Sequence, residues 1–388
     1  MIPSGRRPAA SPQPRVRRPK LVAQIDQLAL RCVEIYSACR RDGQEHQLDS
    51  VVESLAELLC ATPGSAAFIL EQYRQERSLL FLDGALAQLQ ALLPRAPVPA
   101  LGLASFLLVQ TAHEAIRPEQ GPDPRPRLLF VLAAAAQALL QLGYWDDLAR
   151  AVKLAGRCQA LRTSPPVTRF RLELGRAALL ARGSERSLGL ARLGRLARAA
   201  NREDDRLGAG LCLLVAGEAC LDQNLPRSAR SLLDEARRYF DPSREPELVQ
   251  LAALKKAWAH LDLGEFGTAA ERARELARLE TFPRSWRWSL CWLLADLFYH
   301  LKGPWPEIRY WLNRAHEELK GRFLKAPLDR LEEQIRAFEL LADSAARPAA
   351  PLRPDNALRV AQEAARLLRR RFELPLGEEF KFSLWEDS

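Results

Sequence analysis

The chain of 388 residues is poor in several residue types, and each shortage narrows what it can be. Aromatic residues make up 7% and there is 1 Met, while alanine and leucine dominate, a bias toward helix over sheet. The longest apolar runs, such as 128–136, fall well short of the about 18 to 20 residues that a membrane span needs. No acid precedes Asp26. The seven cysteines (32, 39, 60, 158, 212, 220 and 291) form no CxxC pair, so they read as small apolar residues of a reducing compartment rather than metal ligands. Nucleotide-binding glycine loops, GxSxG and HExxH are all missing. The five histidines are scattered, and the acids Glu173, Glu218, Asp222 and Asp262 show no paired-carboxylate spacing. No catalytic residue, cofactor site or metal site is expected, and a non-catalytic protein is.

What is present is apolar residue at 48% and a net charge of +9, carried almost wholly by arginine; there are only eight lysines. Arginine suits carboxylate and phosphate pairing. Residues 1–20 hold five prolines and six basic residues without an apolar stretch, which excludes a secretory signal and predicts a disordered basic arm. The cluster from Arg15 to Lys20 reads either as a solvated tail or as a nuclear or nucleic-acid-binding signal. The localisation expected is cytoplasmic, or nuclear in a eukaryote.

Beyond Lys20 apolar residues recur at three- and four-residue spacing, broken by short turns. Gly143, Gly183, Asn224, Gly264 and Gly303 fall 40, 41, 40 and 39 residues apart, each between two helical segments. Glycine and asparagine suit a helix end that requires a left-handed residue. Five, nine and twelve residues after the turns come Leu148, Val152 and Ala155, then Ala229, Leu233 and Ala236, then Ala269, Ala273 and Leu276. Small residues precede several of the turns, as at Ala135-Ala136 and Ala216-Gly217, where two helices can approach closely. Such hairpins cannot bury an apolar face alone, so stacking is required.

This pattern resembles the tetratricopeptide repeat (TPR) family, most clearly over 213–242, with good copies at 129–162 and 289–322 and weaker ones at 169–203 and 250–283. The period is nearer 40 than the family's about 34. The resemblance implies an all-α, right-handed α-solenoid whose first helices line a concave groove. The organisation expected is a basic arm over 1–20, degenerate helical repeats over 21–116, and a linker over 117–126. The array follows over 127–343, then a linker over 344–354, a capping helix over 355–372 and an extended tail over 373–388.

Carried over by register, the groove residues are Gln137, Gln141, Glu173, Glu218, Asp222, Trp258, Asp262 and His300. They give an apolar wall with acidic spots, suited to an amphipathic or partly basic segment of a partner protein. Leucine stripes at this spacing also read as plain core, and Trp258 is open to both readings. The lysines and asparagines of a chaperone-tail carboxylate clamp are missing. The function expected is that of an adaptor or scaffold subunit. The alternative is a nucleic-acid-associated or regulatory subunit using the arm and the ridge Arg192, Arg195, Arg198 and Arg202, which also reads as a solvated face.

Overall fold

The structure is a computed structural model and describes residues 18–39, 79–93, 96–116, 125–158, 164–279, 282–320, 324–344 and 356–373. Among these residues there are fifteen α-helices and no strand. They are α1 (Arg18–Cys39), α2 (Leu79–Leu92), α3 (Pro97–Ile116), α4 (Arg125–Leu142), α5 (Trp145–Arg157), α6 (Pro166–Arg182), α7 (Arg186–Arg202) and α8 (Arg206–Asp222). Then come α9 (Pro226–Tyr239), α10 (Pro246–Asp262), α11 (Phe266–Arg278), α12 (Arg287–His300), α13 (Trp305–Leu319), α14 (Lys325–Ser344) and α15 (Asn356–Glu373), with a 3-10 turn at Arg284–Trp286 before α12. The described residues are therefore all-α, in keeping with the composition. No described helix is long and apolar enough to cross a membrane.

Five helix pairs run from α4–α5 to α12–α13, matching the expected repeats. Within them the first helix of each pair touches the first helix of the next, from α4·α6 to α10·α12. The second helix leans on the first helix of the following pair. Burial separates the two kinds. Helix α8 is buried continuously from Gly208 to Cys220. Its partner α9 buries only Ala229, Leu233 and Ala236, one stripe at i, i+4, i+7. The first helices form an inner layer and the second helices an outer one.

The turns carry a recurring hydrogen-bond pair. After α4, Gly143 has φ 81°, its N–H donates to Leu140 O (3.2 Å), and Tyr144 N–H donates to Leu139 O (2.9 Å). Asn224 (φ 56°) and Gly264 (φ 76°) repeat this double closure after α8 and α10. It satisfies carbonyls that the helix end leaves free, and it needs a left-handed residue. Two expected turn glycines differ. Gly183 closes α6 with φ −86°, so freedom at positive φ is not what it supplies. After α12 the left-handed residue is Lys302 (φ 52°), and Gly303 is the next residue, donating to Phe298 O.

At the amino end α1 packs on α3 and α5; a Cβ on Gly102 would lie 2.7 Å from the buried Tyr36 ring. Helix α1 starts at Arg18, inside the expected arm, because Pro19 fits the first turn of a helix. Residues 1–17, the expected repeat around Gly43 and the tail over 374–388 lie outside the described residues. At the carboxyl end α15 packs along α11, with Arg274 and Arg278 both bound to Glu363. The core is continuous from Ile25 to Leu368.

Candidate functional site

The inner helices end in a row of polar side chains. Gln141 lies at the end of α4, Arg182 of α6, Asp222 of α8, Asp262 of α10 and His300 of α12. Forty-residue spacing and parallel stacking bring these ends together. Arg182 pairs with Asp222 at 2.9 Å and lies over the Trp145 ring, 4.0 Å from its centroid. One turn deeper, Lys255 pairs with the buried Glu218 at 3.0 Å. Trp258 Nε1 donates to Ser289 Oγ (3.0 Å), and its ring meets Trp292 edge-on at 6.1 Å. Trp292 Nε1 donates to Gln334 Oε1 (2.5 Å), and Gln334 in turn donates to Asp296. Side-chain contacts thus cross every interface from α6 to α14.

The row also bends back on itself. Trp286, in the 3-10 turn, lies against the α4–α5 turn, where a Cβ on Gly143 would be 3.5 Å from its ring. The Lys255 ammonium sits 4.6 Å from the centroid of the same ring. Trp286, Trp288, Trp292 and Trp258 form a chain of rings with centroids 6.0 to 6.2 Å apart.

The predicted site residues divide accordingly. Gln137, Gln141 and Glu218 are buried, so they act within the molecule; both polar atoms of the Gln141 amide lack a partner among the described residues. Glu173 pairs with Arg176 on its own helix (2.5 Å). Asp222, Asp262 and His300 are exposed, and Trp258 is half-buried. His300 stacks on Phe266, centroids 5.0 Å apart. Asp222 and Asp262 are the last residues of α8 and α10, which pack against each other. Arg182 and Lys255 were not placed in the groove from sequence, although both were legible by register: Arg182 is 41 residues after Gln141, and Lys255 is one turn before Trp258. Nothing in the sequence points to Gln334, which reaches the row only because α14 folds against it.

Partial desolvation pushes the carboxyls of Asp222 and Asp262 above the usual range; Arg182 opposes this at Asp222. Burial carries Asp296 up to about 7, with nearby Asp262 adding to the rise and the Gln334 hydrogen bond opposing it. Glu247, at the other end of α10, is pushed to about 7 by burial. Carboxylates short of water favour a cationic neighbour, as Arg182 already is for Asp222.

Elsewhere the chemistry is quiet. Cys158 and Cys212 are buried thiols raised to about 11 and about 12, which makes them poor nucleophiles. Among the described residues no group of three His, Cys, Asp or Glu could hold a metal ion. On α7, Arg195, Arg198 and Arg202 are exposed and Arg192 half-buried along the outer face. No family model, curated protein or solved structure matches the chain.

Proposed function

We propose that the chain is a TPR-like right-handed α-solenoid that serves as a non-catalytic adaptor, holding a basic, amphipathic segment of a partner protein. The segment lies along the row of inner-helix ends. Its cations meet Asp222 and Asp262, and its apolar side meets Trp258 and the Phe266–His300 stack. What supports this reading is that two exposed, partly desolvated carboxylates end successive packed inner helices, one of which also carries the half-buried Trp258. An aromatic anchor flanked by charges is the kind of place where binding energy concentrates. The burial of Gln137 and Glu218 moves the contact from the deep groove to its rim.

The test uses fluorescently labelled helical peptides of matched length, basic-amphipathic, acidic-amphipathic and scrambled. The basic peptide binds with a Kd of about 10 μM or tighter, and Asp222→Lys with Asp262→Lys weakens it at least about thirty-fold, roughly 2 kcal/mol, with helicity unchanged. Equal binding of all three peptides, or binding that survives the double reversal, would defeat the proposal.

A further inference from the structure

A separate feature lies at the opposite end of the inner layer, in the first turn of α6. That helix begins after Pro165 without a side-chain cap. The first N–H groups of a helix have no partner within it and point out of its end. Two side chains on the same face add to them. Thr168 is fully buried, and its hydroxyl has no hydrogen-bond partner among the described residues. Arg171, one turn on, is 8% exposed, and its buried Nη1 has none among them either. Spacing of i, i+3 places the two residues on one face of the helix, and long side chains on a helix lean toward its amino end, the direction of that first turn.

Among the described residues no acid lies within ion-pair distance of this cation. The Phe130 ring of α4 flanks it, 5.5 Å from Cζ to centroid. Asp205 is the acid that acts on it, yet Asp205 caps α8 through Gly208 N–H (2.9 Å) and is not within ion-pair distance. Loss of water without a counter-ion lowers the arginine to about 10. A guanidinium held this way is among the most unfavourable things a core can contain. Val167, the residue before Thr168, is 45% exposed.

We propose that the amino end of α6, the Thr168 hydroxyl and the Arg171 guanidinium form a binding site for a single phosphate-type oxyanion. Donors arrive from a helix end, a hydroxyl and a planar fork. A tetrahedral anion offers an oxygen to each, whereas a carboxylate has two. The site is distinct from the acidic row and does not depend on the reading given to that row.

Inorganic phosphate is titrated into the full chain by calorimetry, with chloride holding ionic strength constant and acetate as the planar control. Phosphate binds saturably at one site with a Kd below about 1 mM, and acetate binds at least about tenfold more weakly. Arg171→Gln and Thr168→Val each weaken phosphate at least about tenfold. Thr168→Val preserves volume, so it decides the matter if the arginine variant does not fold. In phosphate-free buffer Arg171→Met raises the melting temperature, and saturating phosphate erases that advantage by stabilising the parent alone. Failure of phosphate to bind, equal binding of acetate, or binding that survives both substitutions overturns the proposal.

Discussion

Helices α8 and α9 are joined by a three-residue turn and pack along their length, yet they meet opposite demands. The inner helix is apolar on every side and carries Gly210 and Gly217 where Phe240 and Leu233 press against it. The outer helix turns one narrow stripe inward and gives arginine and glutamate to solvent. The same division holds at α4 with α5 and at α12 with α13. A helix enclosed on all sides can present a partner with little more than its end. That is why the candidate contacts gather at the last residue of each inner helix.

The sharpest test of this division is a matched pair of truncations. Leu293→Ala in α12 removes a fully buried side chain and costs about 4 kcal/mol, whereas Leu188→Ala in α7, 37% exposed, stays within about 0.5 kcal/mol. Denaturant unfolding with equal m-values reads both, and equal costs would break the inner–outer distinction.

A second test concerns closeness rather than burial. A Cβ on Gly189 of α7 would lie 2.1 Å from Ala181 N, a backbone atom that cannot swing aside. On Gly217 it would meet the Leu233 side chain at 2.7 Å, which can move. Gly189→Ala therefore costs about 3 kcal/mol and Gly217→Ala about 1 kcal/mol, measured by thermal unfolding. The reverse order would show that the outer layer yields more readily than the inner.

The smallest effect expected is on the pH profile. Asp296 titrates near 7 in the fold and near about 4 in the unfolded chain. Between those values the unfolded chain has lost a proton that the folded one keeps. Stability therefore falls as pH rises from about 4 to about 7 and levels off above. Glu247 adds a slope of the same sign. Asp296→Asn still accepts from Gln334 and gains on the order of 1 kcal/mol at pH 8 relative to the parent, with no gain at pH 4. A gain that is the same at both values would refute this account.

Much of the architecture was legible because the helix-ending turn is a local device. Gly143, Asn224 and Gly264 mark it by residue type. Asp204 and Lys302 adopt the same left-handed geometry without advertising it, so the register slipped by one at the fifth pair. The acidic row followed from that register. The burial of Gln137, Gln141 and Glu218 did not, because it comes from neighbouring helices far apart in the chain. The position of α15 was equally hidden. Its dock is marked by Ala270 and Ala277, which lie off the stripe Ala269, Ala273 and Leu276 that faces α10. In one chain a second small face on an alanine-rich helix has no distinctive signature.

That dock has a consequence for the order in which the molecule is made. By register Gly267, Ala270, Arg274 and Ala277 of α11 share the face that α15 covers, and the covering residues run from Ala357 to Leu368. About ninety residues must leave the ribosome after that face is synthesised before its lid exists. At about 5 to 20 residues per second this is an interval of several seconds. During it α11 stands with a bare alanine patch beside two unpaired arginines. A nascent chain stalled before Asn356 would carry that patch permanently, as a point of attachment for chaperones or for another copy of the same chain.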